Sequence, residues 1–222
     1  MKKHVKYKKV YLAPYSNNDL KLKLKESIDW LSKKLESPLR GRIPFYIKEI
    51  EKYEKYRGYI NDDMYKILMS YYEIFSINII AENFKNNTSC EFIETLKKVT
   101  KGIDVRDGDK VLKDESRNFI FELLMASYFA EKIFLIDLST KTDFIVKDLN
   151  ILVECKRVTS EKKILERIND GVKQITKRKV KDENLGIVFI DISELIDIPK
   201  RIVVQVPLEN SLTLLTQKRV RR

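Results

Sequence analysis

A glutamate and a lysine in the second half of the chain have the types and the spacing of a hydrolytic metal site. Glu154 and Lys156 lie two positions apart in an apolar run, Ile151–Arg157, whose composition is typical of a β-strand. Alternate side chains of a strand leave opposite faces, so both groups project from the same face. A carboxylate there can ligate Mg²⁺, and the amine can orient or help to deprotonate a water molecule.

The turn before this strand predicts a second carboxylate at the same place. If the turn contains an even number of residues, so that Lys147 pairs with Asn150, Asp143 lies directly opposite Glu154. Opposed Cβ atoms are about 4.5–5.5 Å apart, close enough for both carboxylates to reach one metal ion. Without a cation the two charges repel each other, and one carboxylate is driven to protonate. The pair therefore predicts a Mg²⁺ site, at which Mn²⁺ would substitute.

A third acidic residue, Glu122, is expected in a helix that precedes these strands, among apolar neighbours. A carboxylate in such surroundings needs a partner. The candidates are Lys156, a metal ion shared with the other two carboxylates, or Arg117 on a nearby turn of the helix. The alternative is a glutamate on the helix surface that reaches solvent past its neighbours.

The elements that must position these groups alternate between helix and strand. The pattern predicts an apolar helix, three short strands, an amphipathic helix and a final strand, which together make an α/β fold with a mixed sheet. The apolar side of the amphipathic helix carries Ile164, Ile168, Val172 and Ile175. The six predicted elements cover residues 116–132, 133–138, 142–147, 151–157, 159–181 and 186–192.

The first hundred residues predict mainly helices. Two charged amphipathic helices are expected over 20–35 and 46–56, separated by a helix-breaking run of Pro and Gly over 37–44. A third helix, capped by Asp62 or Asp63, is expected to end near Phe84. Its buried side would carry Met64, Ile67, Leu68, Tyr71, Ile74 and Phe75, which follow helical spacing.

A polar, glycine-containing stretch at 104–109 marks the expected domain boundary. It divides the chain into a helical N-terminal region (1–105), an α/β core (106–205) and a basic C-terminal tail (206–222). The helical region is expected to contact DNA or a protein partner. The tail, which ends in Lys218–Arg222, would be a phosphate-binding or a disordered end.

The composition of the chain excludes several classes of enzyme. The chain has 222 residues, with 44 Lys and Arg against 33 Asp and Glu, and a net charge of +11. Its only histidine, His4, lies in a charged N-terminal segment, which excludes a Ser-His-Asp triad, a Cys-His pair or a multi-histidine metal site. Cys90 and Cys155 lack CxxC spacing, so a zinc knuckle or a disulfide framework is not expected.

The charge and hydropathy patterns favour a nucleic-acid-binding protein of the cytoplasm. Both ends of the chain are basic and the middle is slightly acidic, which suggests contact with a polyanion. The alternative is a surface that is simply coated with lysine. No window of about 18 residues is apolar and uncharged, and residues 1–13 lack the apolar core of a signal peptide. We therefore expect no membrane segment.

Together, Glu122, Asp143 and the Glu154-x-Lys156 pair resemble the motif of the PD-(D/E)xK nuclease superfamily, over roughly residues 115–192. The resemblance implies the restriction-endonuclease-like αβββαβ core and Mg²⁺-dependent hydrolysis of phosphodiester bonds. It implies that the three carboxylates and the carbonyl of Cys155 hold the metal, while Lys156 acts on the attacking water. DNA is the expected substrate, ahead of RNA, in defence, restriction or repair.

Two positions depart from the motif of that superfamily. Thr142 stands where the name-giving proline would be. Gln174 is similar to the glutamine of the QxxxY motif in the RecB-like branch, but Arg178 occupies the tyrosine position. The polar side of the same helix would contact phosphates, and a solvated face is the alternative. Its members are Lys163, Arg167, Gln174, Arg178 and Lys181.

Two other functions stay open at this stage. The first is a non-catalytic nucleic-acid-binding or partner-docking subunit with a nuclease-like fold. The second is an α/β protein in which Glu154 and Lys156 form a half-buried ion pair, although such a pair is often no better than neutral for stability. Arg157, on the opposite face of the strand, is expected to pair with an acidic residue. If a nuclease cuts both strands of a duplex, a homodimer would supply the two active sites.

Overall fold

The protein is a mostly helical α/β protein with a four-stranded sheet, as seen in a computed structural model. The structure describes residues 17–55, 64–102, 115–139, 142–178 and 185–195. The helices of these ranges are α1 (Asn17–Leu35), α2 (Arg42–Lys55), α3 (Met64–Asn83), α4 (Cys90–Val99), α5 (Glu115–Ala130) and α6 (Ile164–Arg178). The strands are β1 (Ile136–Asp137), β2 (Phe144–Val146), β3 (Ile151–Arg157) and β4 (Leu185–Asp191). None of these helices combines the length and the apolar character needed to cross a membrane.

The sheet is mixed, as the sequence predicts. Its strand order is β1-β2-β3-β4, with antiparallel pairing from β1 to β3 and parallel pairing between β3 and β4. Parallel neighbours need a crossover connection, which α6 supplies. The order from α5 to β4 is therefore helix, three strands, helix, strand, in agreement with the predicted order.

The β2–β3 hairpin has the register that an even-numbered turn requires. Phe144 is paired with Val153, and Val146 with Ile151. A 3₁₀ turn over Lys147–Leu149 leads into Asn150, which adopts a left-handed conformation (φ 53°) that asparagine tolerates better than most residues. Continued by one residue, the same register places Asp143 directly opposite Glu154.

Two glycines bring α6 close to the sheet. A Cβ atom at Gly171 would lie 2.6 Å from Cγ1 of Val188, and one at Gly186 would lie 2.5 Å from Cγ2 of Ile175. Contacts this short do not occur between real side chains, so only glycine fits at either position. Val172, by contrast, is 50% exposed, so its predicted place on the buried side of the helix is wrong. The glycine contact at the neighbouring position rotates Val172 towards solvent.

A buried ionic network joins α2 and α3 to α5. Glu73 of α3 accepts hydrogen bonds from Arg42 of α2 (2.9 Å) and Arg117 of α5 (2.8 Å). Arg42 also donates to Ser116 and Arg117 to the hydroxyl of Tyr46. All these side chains are buried within a hydrophobic core that continues from α1 to β3. The network therefore fixes α5 against α2 and α3.

Several predicted boundaries differ from the observed ones. α2 begins at Arg42, so Pro44 lies in its first turn, where a missing N–H group costs no helical hydrogen bond. β1 is limited to Ile136–Asp137, because Ile133 has a left-handed conformation (φ 68°) and is 94% exposed. Phe75 is exposed, and its predicted burial is wrong.

Other predictions fall partly or wholly outside the described residues. The predicted cap at Asp62 or Asp63, the boundary at 104–109 and the C-terminal tail all lie there. The side chains of Met64, Ile67 and Leu68 are likewise outside the description. α6 begins at Ile164, after a 3₁₀ turn over Glu161–Lys163, instead of at Thr159.

Candidate active site

Glu154 is the central buried charge of the site. It lies in β3 with 1% of its side chain exposed, and its Oε2 atom accepts a hydrogen bond from Nζ of Lys156 at 2.7 Å. Its Oε1 atom accepts a hydrogen bond from the guanidinium of Arg178, the last residue of α6. One strand and one helix end therefore supply two cations to a single carboxylate, which offsets the cost of burying it.

Asp143 lies beside this ion pair, at the start of the β2–β3 hairpin. Its Oδ2 atom accepts a hydrogen bond from the backbone N–H of Cys155 at 2.6 Å. Burial raises the pKa of Asp143, the hydrogen bond from Cys155 opposes that rise, and the charge of Glu154 adds to it. Two carboxylates thus occupy neighbouring positions on one face of the sheet. Their negative charges repel each other, and a nearby cation stabilises both.

Glu122 of α5 completes the acidic group. Burial, together with the charge of Asp143, raises the pKa of Glu122 to about 8, against the opposing effect of Lys156. The carboxyl group is therefore mainly protonated at neutral pH. Arg117, one of the partners considered for Glu122, instead donates to Glu73 and Tyr46.

Glu122 should make the stability of the metal-free protein depend on pH. Between about pH 4.5 and pH 8, Glu122 is deprotonated in the unfolded chain but stays protonated in the folded protein. The free energy of unfolding therefore falls as the pH rises through this window. We expect Glu122→Gln to match the wild type near pH 5 and to be more stable at pH 8–9. Urea unfolding in EDTA across this range measures the effect. Glu131→Gln, an exposed change on the same chain segment, should leave the pH profile unchanged.

Cys155 contributes its backbone rather than its thiol. The side chain is buried, and burial raises the pKa of the thiol, with the charges of Asp143 and Glu122 adding to the shift. A neutral, buried thiol is neither a nucleophile nor a metal ligand. The backbone N–H holds Asp143, and the backbone carbonyl remains the predicted metal ligand at this residue.

A cavity of about 410 Å³ opens beside these groups, between α5, the end of β3 and α6. Basic side chains outnumber acidic ones in its wall, so the cavity suits an anionic ligand. Its basic lining residues are Lys156, Arg157, Arg167, Lys173 and Lys177; its acidic ones are Glu122 and Asp170; Asn118, Cys155 and Gln174 complete it.

The residues predicted to contact nucleic acid separate into two groups. Arg167 and Gln174 line the cavity, and Oε1 of Gln174 is buried without a hydrogen-bond partner among the described residues. Lys163 is exposed in the turn before α6 and is not part of the lining. Arg178 is directed to Glu154. Lys181, the fifth member of the predicted stripe, lies outside the described residues.

The sequence interpretation missed Asn118, Lys173 and Lys177 as cavity residues. The two lysines have i, i+4 spacing on α6, and this spacing could have placed both on one face. Asn118 lies one helical turn before Glu122, so the same rule could have found it. Arg157 pairs with Asp191 of β4 at 3.1 Å, which confirms the prediction of an acidic partner.

The carboxylates of the site are only partly arranged for the predicted metal ion. The described residues contain no group of three or more His, Cys, Asp or Glu side chains arranged to hold a metal. Glu154 is instead turned towards Lys156 and Arg178. The donor types nevertheless fit Mg²⁺, which prefers carboxylate and carbonyl oxygens. Burial raises the pKa values of Glu122 and Asp143, and the charges of the neighbouring carboxylates add to both shifts, so a bound cation would favour the ionised forms.

Comparisons of this chain with protein-family models, with curated proteins and with solved structures give no match. The functional interpretation therefore depends on the geometry and the charges of the site, since fold alone does not define function.

Proposed function

We propose that this protein is a metal-dependent nuclease of the PD-(D/E)xK type, which hydrolyses phosphodiester bonds of DNA in defence, restriction or repair. One observation carries the proposal: Asp143 and Glu154 are opposed across a hairpin, with Lys156 at 2.7 Å from Glu154, beside a basic cavity. A site built only for phosphate binding has no use for two opposed anions, which repel phosphate.

The order of elements supports this proposal. A helix that carries Glu122, a three-stranded antiparallel unit, a crossover helix and a parallel fourth strand follow one another in the order that the proposed αβββαβ core requires. In that arrangement the acidic groups of β2 and β3 meet the helix end at one side of the sheet. Under this proposal Glu122, Asp143 and Glu154 would be the acidic residues of those elements.

Asp143, Glu154, Glu122 and the carbonyl of Cys155 would hold the metal ion, Mg²⁺ or Mn²⁺. A bound divalent ion supplies charge stabilisation at the phosphate and a more acidic water molecule. The amine of Lys156 donates hydrogen bonds, so it can position that water against the phosphate, as well as neutralise charge on its oxygens. Asp143 stays in place through its hydrogen bond from Cys155.

The cavity lining would hold the substrate. Arg167, Lys173 and Lys177 present positive charge to the phosphates of a strand, which positions the strand without reading its sequence. Arg178 forms an ion pair with Glu154. On binding, its guanidinium would move from Glu154 to a phosphate group and leave the carboxylate available as a ligand.

A second candidate is a non-catalytic nucleic-acid-binding subunit. The observation that favours it is the pairing of Glu154 with both Lys156 and Arg178, which occupies both carboxylate oxygens. In such a protein this triad would be a structural part of the sheet. The basic cavity would then bind nucleic acid without cleaving it.

Removal of the metal should abolish cleavage. We expect the protein to cut linear, nicked or single-stranded DNA in Mg²⁺ or Mn²⁺ and to be inactive in EDTA. Lys156→Ala should reduce the cleavage rate by about 10²-fold or more, the scale expected for a positioned acid–base group. Lys162→Ala, a change of an exposed lysine outside the cavity, is the matched control.

The same assay decides between the two candidates. Cleavage that persists in EDTA, or that Lys156→Ala leaves unchanged, contradicts the metal-dependent mechanism. Binding of DNA or RNA without cleavage under every metal condition, measured by gel shift, supports the non-catalytic subunit instead.

A further inference from the structure

Three large aromatic side chains are exposed on the surface formed by α3 and α5. Tyr72, Phe75 and Tyr128 have 39%, 45% and 45% of their surface accessible. Tyr72 and Phe75 are three residues apart on α3, so they lie on the same face of that helix. α3 packs against α5, which carries Tyr128 and is held to α3 by Glu73 and Arg117. We call these three side chains the aromatic patch.

The aromatic patch adjoins the basic cavity through Arg157. Arg157 lines the cavity and is paired with Asp191. Tyr72 lies close enough to both for their charges to act on its hydroxyl: burial and the charge of Asp191 raise the pKa of Tyr72 to about 12, against the effect of Arg157. Tyr128 is within electrostatic range of the same hydroxyl. Tyr72 therefore lies near the Arg157–Asp191 pair at the edge of the cavity, with Tyr128 close to it.

Aromatic rings next to a basic channel are the combination by which proteins hold single-stranded nucleic acid. Bases of a single strand stack on the rings, while the backbone follows the positive charge. The bases of a duplex are already stacked on each other, so they cannot use ring faces in this way. The cavity volume of about 410 Å³ is at the lower end of the about 300–1,000 Å³ of small-ligand pockets, so it fits a nucleotide of a strand better than a whole duplex.

We propose that the substrate strand is single-stranded, or unpaired at the site of binding, with its bases stacked on Tyr72, Phe75 and Tyr128 and its backbone directed into the basic cavity. The claim that the single strand is a substrate rests on the proposed nuclease function. The claim that the single strand binds here does not, because stacking and phosphate contact need neither metal nor cleavage.

Binding in EDTA tests the aromatic patch without catalysis. Fluorescence anisotropy would be measured with a labelled oligothymidylate of about 15 nucleotides and with a blunt duplex of the same length. We expect the wild type to bind the single strand more tightly. Tyr72→Ala and Tyr128→Ala should each weaken single-strand binding by about fivefold or more, because base–aromatic stacking contributes on this scale. Tyr72→Phe keeps the ring and should bind like the wild type.

Leu165→Ala provides the control for loss of exposed apolar surface, because Leu165 is the most exposed apolar residue of α6 and lies outside the cavity lining. Thermal unfolding of each variant verifies that the exposed rings are not needed for folding. If single strand and duplex bind equally, or if the alanine variants bind like the wild type, the proposed role of the aromatic patch is wrong. If binding depends on the rings but no cleavage occurs in any metal condition, the role of the patch in binding is supported and the nuclease function is refuted. If the wild type and the alanine variants cleave duplex DNA at the same rate, the proposed nuclease function is supported and the role of the aromatic patch in binding is refuted.

Discussion

Glu154→Gln is expected to lower the rate of metal-dependent cleavage by about 10²–10³-fold, the range found when one preorganised electrostatic group is removed from an active site. Glutamine keeps the size of the side chain but removes the negative charge, so the site loses a metal ligand. Among the ion pairs of the described residues, Lys156 and Arg178 bind no carboxylate other than Glu154. Single-turnover cleavage with DNA in excess Mg²⁺ measures the effect.

Binding of DNA distinguishes a catalytic loss from a folding defect in this variant. With the carboxylate neutralised, Lys156 and Arg178 remain positive, so we expect DNA affinity in EDTA to be maintained or increased. Glu166→Gln, which makes the same charge change on the exposed side of α6, is the matched control and should cleave normally. A Glu154→Gln protein that binds and cleaves DNA like this control would rule out the proposed role of Glu154.

Glu73→Ala is expected to destabilise the fold by about 3–5 kcal/mol, the cost of removing one partner from a buried ion pair. The carboxylate of Glu73 is 1% exposed and compensates the guanidinium charges of Arg42 and Arg117, whose side chains are 0% and 7% exposed. For a chain of this length the change corresponds to a fall in Tm of roughly 6–20 °C. Thermal unfolding by circular dichroism measures it.

The control for this change is Glu82→Ala, on the same helix as Glu73. This change breaks an exposed ion pair between Glu82 and Lys23 of α1. Exposed pairs contribute about 0–1 kcal/mol, so its Tm should stay within a few degrees of the wild type. If the two variants have the same Tm, the buried network does not hold the three helices together. Loss of DNA cleavage in Glu73→Ala at temperatures where it remains folded would show that the network also positions α5.

The opposed position of Asp143 and Glu154 was predictable because strands have a strict alternation. Once the ends of β3 are recognised, the number of residues in the turn decides which side chains face each other, and Asn150 is a residue that favours such a turn. The helix and strand order from α5 to β4 followed from periodicity. These are local or near-local properties, so one sequence is enough to infer them.

The partners of the charged groups were harder to predict. Arg178 was correctly placed on the polar face of α6, but spacing cannot distinguish a phosphate from a carboxylate as its partner, and it binds Glu154. Arg117 was a candidate partner for Glu122, yet Glu73, 44 residues away, takes it. Which partner a charged side chain binds depends on how elements distant in the sequence pack together. The helical periodicity of one segment carries no information about that packing.

Exposure of apolar residues was predicted poorly for the same reason. Phe75 and Val172 fit the apolar spacing of their helices, but they are 45% and 50% exposed. The packed neighbours of each helix leave these two apolar side chains uncovered. The short contact of Gly171 with Val188 sets the rotation of α6, and this contact involves two elements that are distant in the pattern. The exposed rings of α3 and α5 belong to this unpredicted set.

Glu154, Lys156 and Arg178 all belong to one continuous β3–α6 segment, so the charge balance of the site does not require the N-terminal helices. Arg178 is the last residue of α6, and the terminal turn of a helix unwinds at far lower free energy than a core opens. Fraying of that single turn would therefore release one oxygen of Glu154 while the sheet stays intact. The exchange of Arg178 for another partner at this oxygen would then be a fast local motion, separate from global unfolding, while Lys156 still binds the other oxygen.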